Sequence, residues 1–174
     1  MDIQFETDYN METLTAMAKS LRKTVRKKRS RRVHIFAAVV LILGLLTILA
    51  TTAGGEPLGA SGVVTLLAML VVILVSLFED KLNAWFARKR LLPGTEHAAA
   101  TFEEDGYVSA TGVTESRFSY AQIVAVAETA RYFVFALSSH HTQAYDKRNI
   151  RGGSVEDFRA FIAEKTGKLV ENIK

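Results

Sequence analysis

The chain has 174 residues, with 22 Lys plus Arg against 18 Asp plus Glu and no Cys. That length fits one or two small domains and excludes a large multidomain enzyme. The lack of Cys excludes disulfide scaffolds, Cys-ligated zinc and thiol catalysis together. Charge is unevenly spread: residues 1–18 sum to −4, 19–32 to +9, 33–90 to +1 and 91–174 to −2, so the net +4 describes none of these segments.

Residues 3–6 alternate apolar and polar around Ile3 and Phe5, a short strand pattern. Asp8 or Asn10 then caps a helix with Glu12 in its first turn. Met11, Leu14, Met17, Leu21 and Val25 recur at spacings of three and four, an amphipathic stripe. No Gly or Pro interrupts residues 9–43, which predicts one long helix running on into the apolar segment that follows.

Residues 33–53 and 59–78 contain no Asp, Glu, Lys or Arg. A run of about 20 residues at 1.5 Å rise spans roughly 30 Å, the thickness of a bilayer hydrocarbon core. Core helices of a soluble protein seldom sustain so long an apolar run. A signal peptide has a shorter leading segment and a shorter apolar stretch. Two transmembrane helices are therefore expected. The link between them holds Gly54, Gly55, Pro57 and Gly59, turn chemistry that makes an antiparallel hairpin. Nine basic residues precede the first span, Lys81, Arg88, Lys89 and Arg90 follow the second, and the link has none. The positive-inside rule then predicts an inner (cytoplasmic) membrane protein with both termini in the cytoplasm. Leu82, Trp85 and Phe86 extend the second helix over residues 79–93, and Trp85 suits the headgroup layer as an interface anchor.

Pro93 and Gly94 break the chain, and the periodicity changes from helical to alternating. Residues 98–102 and 107–113 flank Asp105-Gly106, a hairpin signal. Strands at 117–120, 123–128, 132–137 and 142–147 follow, the run YFVFAL at 132–137 reading as central because it is apolar on both faces. Ser154 with Asp157 opens a last amphipathic helix carrying Val155, Phe158, Phe161 and Ile162, and Gly167 stops it. The fold class is α+β: a two-helix transmembrane hairpin, then a cytoplasmic β-meander over 94–174 closed by a C-terminal helix. The N-terminal strand, at the start of the 1–32 segment, is positioned to add a seventh.

The local signatures FEEDG with Phe102 and Gly106, the turn Tyr120-Ala121-Gln122-Ile123, the pair Lys147-Arg148, and Phe158-Arg159 occur in this order. With the order of parts, they resemble the YcxB-like family of bacterial membrane proteins over nearly the whole chain. Members often have Trp at the place of Tyr120 and Pro-Lys-Arg at 146–148. The resemblance implies a C-terminal pleckstrin-homology-like (PH-like) domain, a sandwich or barrel of two antiparallel sheets with a helix plugging one end. It supplies no catalytic residues.

The basic run, with Arg26, Lys27, Lys28, Arg29, Arg31 and Arg32, sets topology and also offers a site for anionic lipid. As a nucleic-acid site it lacks interleaved aromatic platforms, and that reading is set aside. Lys147, Arg148 and Arg151, in the loop before the last helix, are either a solvated charged loop or a headgroup or partner contact. His140 and His141 read as turn residues, because neighbours on an extended strand point to opposite faces and do not share an ion. Glu103, Glu104 and Asp105 lie at a hairpin tip with no facing carboxylate, and Ser138 and Ser139 lack a nucleophile-elbow setting. The spans hold no ionisable group beyond His34 at the edge, which disfavours transport. No catalytic residue, cofactor or metal is expected. The expected function is a non-enzymatic membrane protein displaying a PH-like binding or regulatory module for a protein partner or anionic headgroup. The alternative is an accessory subunit of a larger complex, associating through its hairpin with a membrane-protein partner or as a homo-oligomer.

Overall fold

The computed structural model describes residues 2–55 and 57–174. Met1 and Glu56, the one charged residue of the expected link, lie outside the described residues. Strand β1 (Ile3–Asp8) buries Ile3, Phe5 and Thr7 on one face, as its alternation predicts. Asn10 caps α1 (Met11–Lys23), its side chain accepting the backbone N–H groups of Glu12 at 2.9 Å and Thr13 at 3.0 Å.

The long uninterrupted helix is not formed. α1 ends at Lys23, and a second helix, α2, begins at Lys27 and runs to Ala53. Thr24 leaves helical geometry with ψ −94°, and its hydroxyl donates to the Ser20 carbonyl at 2.8 Å. The β-branched pair Thr24-Val25 holds a helix weakly, and a Thr hydroxyl competes for the carbonyl four residues back. Docking decides the matter, since α1 packs along a later helix and onto the β domain while α2 departs from both. α3 (Ala60–Leu77) returns beside α2. Windows of the two have mean hydropathy 2.7 and 2.6, and neither helix buries a residue within the chain. Both are long and apolar enough to cross a membrane. They come close where Gly44 faces Met69 and Thr65. The expected extension of the second helix is a separate helix, α4 (Glu79–Lys89), begun after a break at Phe78.

Strands β2 (His97–Phe102), β3 (Tyr107–Thr111) and β4 (Glu115–Phe118) join β1 in an antiparallel sheet of order β1-β2-β3-β4. β1 and β2 pair in register from Ile3 opposite Phe102 to Asp8 opposite His97, so the helices α1–α4 are inserted between two adjacent strands. Gly106 closes the β2–β3 turn, where a Cβ would stand 2.5 Å from the Phe118 carbonyl oxygen. β4 falls earlier than the expected 117–120 because Ser119 caps a tight turn through Tyr120.

The second sheet contains β5 (Ala125–Glu128), β6 (Tyr132–Ala136), β7 (Thr142–Asp146) and, after helix α5 (Val155–Thr166), β8 (Val170–Asn172), in order β7-β6-β5-β8. Ser154 and Asp157 form the expected reciprocal cap of α5, and Gly167 ends it in the left-handed region at φ 62°. β8 was not expected; it pairs parallel to β5. Phe158 from α5 seats its ring 4.7 Å from Phe5, 4.8 Å from Phe102 and 5.0 Å from Phe133, joining both sheets in one aromatic core. The two sheets do not close into a barrel. β1 and β7 meet through the Asp146 N–H donating to the Thr7 hydroxyl at 3.0 Å.

Candidate functional site

A helix turns about 100° per residue, so the basic run cannot act as one surface. Arg26, Arg29, Ser30 and Val33 face one side of α2 and Lys27, Arg31 and His34 another. Lys28 and Arg32 point away from the first group and are exposed. The first side forms one wall of a cleft of about 520 Å³, floored by Met17 and Leu21 of α1 and closed opposite by Asn83 and Phe86 of α4 and by Arg90 at its C-terminal cap. The tip of the β6–β7 hairpin completes it. Arg26 donates through Nε to the Ser139 carbonyl at 2.6 Å, and its Nη2 lies 2.9 Å from His140 Nδ1. A guanidinium only donates, so Nδ1 of His140 is the acceptor there. Burial, then the neighbouring Arg29 cation, pushes the Arg26 guanidinium below its ordinary value.

Two further contacts fix the cleft's walls. Arg22 grips Asp80 with both Nε and Nη2 at 2.7 Å, joining α1 to α4, and that pairing raises its proton affinity. Glu79, the carboxylate lining the cleft, has Arg22 at 3.8 Å and His34 at 3.7 Å. Among the described residues Arg29 and Arg90 make no salt bridge. Four guanidinium groups thus line one cleft, Arg22 paired with Asp80, Arg26 and Arg29 from the start of α2, and Arg90 from a distant part of the chain. Arg90 was legible only as part of the basic cluster behind the second span.

On the far side of α2, Lys27, Arg31 and His34 line a shallower cleft of about 510 Å³. Trp85 is 44% exposed on α4, its ring 4.9 Å from Phe86 and covered by Lys89 Nζ at 3.6 Å.

The expected trio in the loop before α5 has a different character. Lys147 is partly buried, and its Nζ donates to Glu128 at 2.7 Å. Arg159 binds the same carboxylate through Nε at 2.7 Å and Nη2 at 2.8 Å, and with Lys147 it holds Glu128 down at about 2 against partial burial. Arg148 and Arg131 share buried Asp146, and Arg151 faces Glu6 at 3.3 Å. Sequence neighbours therefore serve three separate carboxylates. A larger cleft of about 740 Å³ runs past Lys147, Tyr132 and Ile173 to Lys19 and Lys81. Among the described residues no group of three or more His, Asp and Glu is placed to hold a metal ion.

Residues 102–162 match the family model described as YcxB-like protein, a segment that runs from the end of β2 into α5. No curated protein and no solved structure matches the chain.

Proposed function

We propose that this YcxB-like chain is a non-enzymatic membrane protein whose two apolar helices anchor a PH-like β domain as a binding module on the cytoplasmic face. Helices that carry 18-residue windows of mean hydropathy 2.7 and 2.6 and bury no residue within the chain suit lipid better than water. Nine basic residues before the first and four after the second favour the cytoplasm for both ends. The PH-like reading draws on the strand order, a four-stranded antiparallel sheet followed by β5–β7 and a helix plugged between the sheets. Insertion of α1–α4 between adjacent strands β1 and β2 is what fixes the domain to the anchor.

The observation that carries the binding reading is the cleft at the seam of anchor and domain, where Arg26, Arg29 and Arg90 converge. A photoreactive residue at Asn83, on the cleft wall, is expected to capture a lipid or a protein in native membranes. The same probe at Leu67, halfway along α3 and 57% exposed, is expected to capture bulk lipid alone. A second polypeptide captured only from Leu67 would instead support an accessory subunit held through its hairpin.

A further inference from the structure

We propose that the seam cleft binds the phosphate of an anionic phospholipid headgroup from the adjoining leaflet, an assignment that rests on the membrane-anchored reading above. Three features converge on it. Among the described residues Arg29 and Arg90 have no carboxylate within salt-bridge distance, and Arg26 donates to the Ser139 carbonyl and to His140, with Glu79 acting on it only from beyond salt-bridge distance. Among the described residues the one acid on the cleft wall, Glu79, already faces Arg22 and His34. Like charges held side by side in Arg26 and Arg29 repel, and an anion bound between them removes that repulsion. Guanidinium forks match two phosphate oxygens at once, which ammonium groups do not.

The second feature is chemical variety. Asn83 and Ser30 offer neutral hydrogen bonds beside the cations, as a glycerol or sugar hydroxyl next to a phosphate requires. The third is location. The arginine wall continues along α2 into Val33, where the apolar stretch begins, and His34 lies 3.7 Å from Glu79 at the start of α4. A molecule with its phosphate among the arginines has its remainder directed along the apolar helices. A phospholipid has that shape, and a free nucleotide or phosphate does not.

The geometry of α2 supplies its own control. Arg29→Gln with Arg90→Gln removes two charges from the cleft, whereas Lys28→Gln with Arg32→Gln removes two from the outward side of the same run. The full chain, in micelles mixing phosphatidylglycerol with phosphatidylcholine, is examined by native mass spectrometry. Preferential retention of phosphatidylglycerol is expected, reduced roughly tenfold or more in the cleft variant and within about twofold of wild type in the outward variant. Equal losses in the two variants, or no preference between the lipids, would overturn the proposal. So would inorganic phosphate or glycerol phosphate raising the melting temperature in phosphatidylcholine micelles as much as phosphatidylglycerol does, because the ligand would then be a soluble phosphate. The Asn83 probe separates this failure from failure of the binding-module reading. A protein captured there while lipid preference is absent removes the headgroup and keeps the module, and no capture of any kind removes both.

Discussion

Asp8 and His97 stand 89 positions apart in the chain yet directly opposite each other at the end of the β1–β2 ladder, with His97 Nδ1 2.8 Å from the Asp8 carboxylate. All four helices leave and re-enter the sheet between these two residues. The pair itself is exposed, 73% at the Asp8 side chain and 59% at His97, and even a charged pair so exposed contributes only about 0–1 kcal/mol. The join is instead held by what β1 buries. Phe5 meets Phe102, Tyr145 and Phe158 in the shared core. Asp8→Asn is expected to change stability by less than about 1 kcal/mol and Phe5→Ala to cost about 3–5 kcal/mol. Protease accessibility of the 90–97 segment checks the consequence. It should rise sharply in Phe5→Ala and stay unchanged in Asp8→Asn.

Ser20 makes a contrasting prediction on α1. Its carbonyl accepts both the N–H and the hydroxyl of Thr24, while its own hydroxyl is buried and has no hydrogen-bond partner among the described residues. A buried hydroxyl without a partner costs about 1–3 kcal/mol, and Ala is the better helix former. Ser20→Ala should therefore stabilise the protein by about 1 kcal/mol and raise its melting temperature by roughly 2–4 °C. A lowered melting temperature would mean that the hydroxyl has a role its burial does not reveal.

What could be read from the sequence was local or long. The start and stop of α5 follow from Ser154, Asp157 and Gly167, residues that act within one turn of the helix ends. The β2–β3 turn follows from Asp105-Gly106, and the apolar helices follow from their length. The breaks at 24–26 and at Phe78 have neither Gly nor Pro to announce them, because they arise where α1 and α4 must lie against each other. β8 is three residues long, too short for a period, and exists only through pairing with β5. The site was half legible. Arg26 and Arg29 belong to the basic run, but Arg90 joins them through the packing of α4 on α1. Lys147 is held by Glu128 on another strand, a pairing that no local pattern around Lys147-Arg148 announces.

Helix approach in the apolar hairpin gives a prediction with its own rescue. A Cβ on Gly44 would lie 2.8 Å from Met69 Sδ and 3.0 Å from its Cγ, both atoms of a flexible side chain. Met69 can swing aside for one methyl, and Ala gains about 1 kcal/mol of helix propensity over Gly in compensation. Gly44→Ala should be near neutral, whereas Gly44→Ile should separate α2 from α3 and lower the melting temperature in detergent. Met69→Ala should recover much of that loss. If the double variant is simply additive, Gly44 and Met69 do not touch.

Glu128 sets the acid limit of the β domain. Arg159 and Lys147 hold its carboxyl at about 2, against an ordinary 4.5. A depressed carboxylate stabilises the fold fully above its unfolded value, and that contribution is lost as pH falls from 4.5 toward 2. The depression corresponds to about 3 kcal/mol at neutral pH. Glu128→Gln leaves Lys147 without its counter-charge and Arg159 with only the exposed Glu156 at 3.9 Å, so it should cost about 3 kcal/mol at pH 7 and flatten the decline in melting temperature over that acid window. Lys147→Met, which removes one of the two cations, should also destabilise at pH 7 while leaving phosphatidylglycerol retention at the wild-type level. A Lys147→Met protein of unchanged stability but reduced lipid retention would return Lys147 to the binding surface and remove it from the support of Glu128.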